Sequence, residues 1–163
     1  MARGIAVGTK IPSESMKVVT GDEVADAVAS EYFAGKKVVL VGIPGAFTGT
    51  CYGTHIPDFV QHADEIKAKG ADAIAVLGVN DFFVMKEFAK ALGAGDKLSF
   101  IADGNGTLTA ALDASVDFSG AHFGTRTTRF SAVVEDGTVT AANVESDPGA
   151  VAASDAATIL KQL

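Results

Sequence analysis

Apolar residues along this chain fall into short runs broken by turns of glycine, aspartate and asparagine, and the runs alternate between strand-like and helix-like spacing. Val38-Val39-Leu40-Val41-Gly42-Ile43 is continuous and apolar, as strands buried on both faces are. Ala73 to Val79 repeats the pattern, Ser99 to Ala102 is a shorter version, and Lys17 to Thr20 reads as one more short strand. Between them, helical spacing predicts a helix over Asp22 to Phe33, where Val24 and Val28 lie four apart and Gly35 follows. A second helix is expected from Cys51 to about Lys69, with Ile56, Phe59, Ala63 and Ile66 as its apolar face and Lys67, Lys69 and Gly70 as its stop. Pro57 lies inside that span and should kink it, since proline lacks an N–H and crowds the preceding turn. Asp81 is placed to cap Phe82 to Leu92, and Gly93 closes that helix.

Asp103-Gly104-Asn105-Gly106 reads as a turn, followed by a short helix through Leu112. Ser131 to Glu135 and Thr138 to Val144 flank Asp136-Gly137, a hairpin signal, because such pairs tolerate the positive φ of tight turns. Ser154 or Asp155 caps a final helix ending at Ile159-Leu160. The order β-α-β-α-β-α-β-β-α predicts an α/β fold with parallel central strands and an antiparallel hairpin edge.

Composition narrows the partners more than the fold. With 163 residues, 48% of them apolar, the chain is expected to form one domain over 1–163 with a sizeable core. A formal charge of −7 argues against nucleic acid or an anionic membrane as the main partner. There is no apolar run of about 18 residues and no apolar leader in the opening residues. A lone cysteine fits a reducing, intracellular setting. That means the cytoplasm, or a plastid or mitochondrion where a transit peptide has been removed.

Cys51 is the residue around which the chemistry gathers. It follows a buried strand and the loop Pro44-Gly45-Ala46-Phe47-Thr48-Gly49-Thr50, and it stands in the first turn of the expected helix. Unpaired N–H groups and the positive end of the helix dipole favour an anion there. An ordinary thiol, with a pKa of about 8.5, is only a few per cent thiolate at neutral pH, so such a setting is expected to increase the nucleophile. A lone cysteine is more often a small buried hydrophobe. Here its neighbours each have a plausible task. Pro44 ends the strand, Thr48 offers a hydroxyl one turn before the thiol, and Thr50 or Thr48 is placed to cap the helix.

The segment Pro44-Gly-Ala-Phe-Thr48-Gly-Thr-Cys51 resembles the active-site loop of the peroxiredoxins, in particular their type II, peroxiredoxin-5-like subgroup in a single-cysteine form. The resemblance continues through His55-Ile56-Pro57-x-Phe59, Val79-Asn80-Asp81-x-Phe83-Val84, Ile101-Ala102-Asp103, Arg126-x2-Arg129-Phe130-Ser131 and the hairpin around Asp136-Gly137, in order along most of the chain. The subgroup usually has proline where Gly49 stands, a small polar residue at Tyr52 and glycine at Asp58.

The resemblance implies a thioredoxin-like fold and a thiol-dependent peroxidase that needs no metal, haem or flavin. In it Cys51 attacks hydrogen peroxide or a small organic hydroperoxide and becomes a sulfenic acid. Thr48 orients the peroxide, Arg129 stabilises the departing oxygen, Pro44 screens the sulfur from water, and Arg126 helps hold the loop. His55 shares a helical face with Cys51, the i,i+4 spacing of a Cys–His hydrolase or transferase, but no third orienting group is evident, and the resemblance gives it a supporting place. With one cysteine, recycling must come from an external thiol: glutathione with glutaredoxin, or thioredoxin. A homodimer through Phe47 and Phe83 is also implied. Phe83 falls opposite the apolar stripe Val84, Met85, Phe88 and Leu92, among Lys86, Glu87 and Lys90.

Other chemistry is less supported. His55, His62 and His122 lack ligand spacing, and one cysteine cannot build a thiolate cage. Asp103 to Thr107 starts like an EF-hand loop, but Leu108 and Ala114 occupy its glycine and glutamate positions. Two rivals remain: a glutaredoxin-like thiol transferase with Thr48 in place of a first cysteine, and a non-catalytic redox sensor with Cys51 as the switch.

Overall fold

The computed structural model describes residues 4–163, so residues 1–3 of the expected 1–163 domain lie outside the described residues. In chain order the elements are β1 (Ser15–Thr20), β2 (Glu23–Val28), α1 (Ala29–Phe33), β3 (Lys37–Gly42), a π-helical turn (Cys51–His55), α2 (Ile56–Gln61), α3 (Ala63–Ala68), β4 (Ala73–Gly78), α4 (Phe82–Leu92) and β5 (Ser99–Ala102). They continue with α5 (Thr107–Ala111), β6 (Ser115–Asp117), a 3-10 turn (Ser119–Ala121), β7 (Thr125–Thr127), β8 (Phe130–Glu135), β9 (Thr138–Val144) and α6 (Ala156–Gln162).

The described residues form one seven-stranded sheet, ordered β2-β1-β5-β4-β3-β8-β9, and a small ribbon of β6 and β7. β3, β4 and β5 run parallel at the centre; the other pairs are antiparallel. This is the mixed α/β sheet that the order of apolar runs predicts. The continuous apolar strands follow from covering on both faces. Val39, Val41 and Ile43 pack with Phe59, Ile66, Phe88 and Ile159, whereas Val38 and Leu40 pack with Phe33, Leu108 and Leu112. Each large side chain fully removed from water in this way contributes about 1.5–3 kcal/mol. α4 forms as expected: Asp81 accepts from the Val84 N–H at 2.9 Å, and Gly93 ends the helix at φ 64°. α6 is capped by Asp155, which accepts from the Thr158 N–H. Among the described residues, no helix is long and apolar enough to cross a membrane.

Four local expectations need correction. The helix expected over Asp22 to Phe33 is instead β2 followed by the short α1. Residues four apart share a face in a strand as well as in a helix, and Gly21, at φ 60°, turns the chain back so that Thr20 pairs with Glu23. The single helix from Cys51 to Lys69 is divided into the π turn, α2 and α3, with a break at His62 (φ −101°, ψ 9°). Pro57 stands at the start of α2 rather than in a helix interior, and the Ile56 N–H reaches back five residues to the Cys51 carbonyl. Proline has no N–H for Gly53, and the turn before it is wound wider. Neither threonine caps this helix with its side chain: Thr50 has helical backbone angles and no side-chain cap, and its Oγ1 donates to the Gly149 carbonyl. Finally, β6, the 3-10 turn and β7 fill the stretch before Phe130, where three-residue strands leave no readable periodicity.

Candidate active site

β3 and β4 deliver the loop before Cys51. The Ile43 N–H donates to Leu77 O at 2.9 Å, and a few residues later the Ala46 N–H donates to Asn80 Oδ1 at 2.9 Å, tying the loop to the end of β4. Arg126 packs close against Gly45: a Cβ there would stand 2.6 Å from Arg126 Nη1, so a larger residue would push the guanidinium aside. Phe47 has φ 63°, the left-handed region, which costs a non-glycine residue about 1–3 kcal/mol. Its ring packs on Phe88 at 5.2 Å and Tyr52 at 5.4 Å, contacts that help hold it there.

Two donors converge on the fully buried Cys51. Thr48 Oγ1 lies 2.9 Å from Sγ and 2.8 Å from Gly45 O, so its single proton serves one acceptor at a time. Arg129, just before β8 and only 2% exposed, donates from Nη2 to Sγ at 3.0 Å. It also donates from Nε to Pro148 O at 2.7 Å, and Nη1 stands 2.8 Å from His55 Nδ1. A buried guanidinium calls for an anionic partner, and of these three acceptors only the sulfur can carry negative charge.

The contact with Arg129 fixes the His55 tautomer. A guanidinium only donates, so Nδ1 is the bare acceptor and the ring proton sits on Nε2, which donates to Ser154 O at 3.0 Å. Burial pushes His55 down to about 4, the Ser154 carbonyl opposes this, and the charge of Arg129 lowers it further. At neutral pH His55 is uncharged and both ring nitrogens are engaged. It is built as a prop for Arg129, and a proton-accepting role toward Cys51 has no free nitrogen to use.

Arg126, on β7, donates from Nη1 to Pro44 O at 3.2 Å and from Nε to Phe123 O at 3.0 Å, and it lies over the Phe123 ring. A cavity of about 250 Å3 opens beside these groups, lined by Pro44, Thr48, Arg129, Phe118, Phe123 and Pro148 among others. Thr48, Cys51, His55 and Arg129 are thus linked in one chain of contacts, while Pro44 lines the cavity and Arg126 is bonded to the Pro44 carbonyl. His62 and His122 stand apart: His62 pairs with Asp58, and His122 is exposed. Sequence reasoning missed Phe118, Phe123, Pro148, Ser154 and Glu145 as members or supports of the site. Nothing in their local sequence marks them, because β6, β7 and the loop after β9 bring them here only through tertiary contacts.

A family profile described as Redoxin matches residues 6–160. Peroxiredoxin-2C of Oryza sativa subsp. japonica is 42% identical over 160 residues, covering 98% of this chain and 98% of the relative. Reduced Prx3 of Vibrio vulnificus in complex with H2O2 superposes with a TM-score of 0.88 at 39% identity, over 97% of this chain and 98% of that one. The 1-Cys peroxiredoxin antioxidant protein of Plasmodium falciparum superposes at 0.85 with 27% identity, over 97% and 98% of the two chains. With its thiol met by a threonine hydroxyl and a buried arginine, this chain belongs to the redoxin family as a peroxiredoxin, a thiol-dependent peroxidase on a thioredoxin-like mixed α/β fold.

Proposed function

We propose that the chain acts as a single-domain, one-cysteine peroxidase for hydrogen peroxide and small organic hydroperoxides, with Cys51, Thr48, Arg129 and Pro44 as its working residues. The observation that carries this is the convergence of Thr48 Oγ1 and Arg129 Nη2 on one sulfur. The sulfur attacks one peroxide oxygen, the S–O bond forms as the O–O bond breaks, and two electrons pass from sulfur to peroxide. The leaving hydroxide or alkoxide takes a proton and departs as water or alcohol, and Cys51 becomes a sulfenic acid. Arg129 stays charged throughout and stabilises the oxygen on which charge grows, Thr48 orients the peroxide, and Pro44 keeps water from the sulfur. His55 and Arg126 support Arg129 and the loop.

Since Cys51 is the chain's one cysteine, the sulfenate is returned to thiol by an outside thiol, through a mixed disulfide. Glutathione with glutaredoxin, or thioredoxin, would supply that thiol, which fits a reducing intracellular compartment. Intact-mass spectrometry after one equivalent of peroxide should show one added oxygen, replaced by a glutathione adduct when glutathione is supplied. Rapid turnover with no added thiol would contradict the scheme, and a single oxidation with no turnover when thiol is present would favour a sensor.

We also propose a homodimer through the region of Phe47 and Phe83. Phe83 is 70% exposed, and Phe47 and Tyr52, 46% and 41% exposed, stack beside the same helix α4. Exposed aromatics of this size are a common mark of a contact surface. Sedimentation at micromolar concentration should give a dimer for the wild type and a monomer for Phe83→Glu. A monomeric wild type would refute the assignment.

A further inference from the structure

Arg129 and His55 are each held by a backbone carbonyl of one loop, residues 146–155, that contributes nothing else to the reacting atoms. Pro148 O receives Arg129 Nε, and Ser154 O receives His55 Nε2. The loop has little regular structure of its own: around Pro148 it is tied by Asp147 and by Thr50, whose Oγ1 donates to Gly149 O, which leaves the Ser154 carbonyl to be fixed from elsewhere.

Glu145, just after β9 and 2% exposed, is the group placed to fix the Ser154 carbonyl. Its carboxylate accepts from the Ala152 N–H at 3.0 Å, the Ala153 N–H at 2.8 Å, the Ser154 N–H at 2.7 Å and the Ser154 Oγ–H at 2.6 Å. Its own N–H donates to Arg129 O at 3.0 Å, so the same residue fastens the main chain of Arg129 and the loop that holds the Arg129 side chain. Successive N–H groups wrapped around a buried carboxylate form a rigid unit, because each bond to a charged acceptor is stronger than a neutral one.

We propose that Glu145 is a positioning residue for peroxide reduction: by fixing Ser154 O it holds His55, and through His55 and the Arg129 main chain it sets where the Arg129 guanidinium meets Cys51. The inference rests on the catalytic role assigned to Arg129 above. Misplacing a catalytic group by about 1 Å costs about a hundredfold in rate, so a carboxylate that never touches substrate still controls the reaction.

The test compares wild type, Glu145→Gln, Arg129→Gln and the double variant by their single-turnover rates of Cys51 oxidation by hydrogen peroxide, and by ultraviolet thiolate absorbance at neutral pH. Glu145→Gln should be slowed by about tenfold to a hundredfold. In the Arg129→Gln background the same change should add less than about twofold, because residues acting through one network are not additive. The thiolate signal should fall in Glu145→Gln. A carboxylate acting only through its charge would do the opposite, since removing a nearby negative charge favours the thiolate. A rise in that signal, an unchanged rate in Glu145→Gln, or losses that multiply in the double variant would each overturn the proposal. An unchanged rate in Arg129→Gln would instead sink the role given to Arg129. Should Glu145→Gln not fold, Ser154→Ala carries the same comparison. It removes one of the four donors and is expected to slow oxidation only in the presence of Arg129; equal slowing without Arg129 would count against the proposal.

Discussion

Arg129→Gln should slow oxidation of Cys51 by hydrogen peroxide by about a hundredfold to a thousandfold, the usual loss when a donor to developing charge is removed. Among the described residues Arg129 Nη2 is one of two side-chain donors to Sγ, and the one that carries a charge. Glutamine keeps a donor but loses the charge, so the fold should persist while the rate falls. Arg129→Lys separates charge from geometry. A lysine has no planar fork with which to reach Pro148 O, His55 Nδ1 and Sγ together, so it should recover only part of the loss. Thr48→Val, which keeps the shape and removes the hydroxyl, should cost at least about tenfold. Stopped-flow oxidation of each reduced variant gives the rates, and thermal unfolding checks the fold. Near-wild-type rates in Arg129→Gln would mean that the guanidinium serves packing alone.

The second large effect is on stability in acid. His55 is held neutral with a pKa of about 4, against an ordinary value of about 6.5 in the unfolded chain. Between those two values the unfolded chain binds a proton that the folded protein refuses. Stability from this residue is therefore complete above about pH 6.5 and falls as the pH drops toward 4. A tenfold change in proton affinity is worth about 1.4 kcal/mol, so lowering the pH from about 6.5 to about 4.5 should remove about 2–3 kcal/mol. His62, whose partner Asp58 raises its pKa through the backbone carbonyl and the carboxylate, works in the opposite sense but is only half-buried and adds little. Glu145 and Asp155 are held below the usual carboxylate range, so their losses come at lower pH still. Urea unfolding at both pH values should show the fall in wild type and largely lose it in His55→Asn. A wild type whose stability is flat across that window would show that His55 is protonated without penalty.

The parallel core and the loop before Cys51 were legible in the chain because their causes are local. β3 and β4 are runs of apolar residues that only a strand covered on both faces can hide, and Asp81, Gly93 and Asp136-Gly137 fix backbone angles within a few residues of themselves. Cys51 and Thr48 lie on one loop, so their meeting was set by sequence spacing. Arg129 was reached only by resemblance, since an arginine ahead of a strand is ordinarily solvated.

What tertiary structure alone decided has the opposite character. Residues 23–28 became an edge strand because β1 offered a partner, an energy that no spacing of Val24 and Val28 encodes. The neutrality of His55 depends on its burial and on Arg129, 74 residues away in sequence. The sheet order β4-β3-β8 brings Arg129 beside the end of β3, and the loop after β9 then closes over it with two carbonyls that any residue type would supply. Main-chain acceptors carry no side-chain signature. The sequence therefore determined where the one thiol stands and on what kind of scaffold, and the tertiary fold determined how the guanidinium is aimed at it.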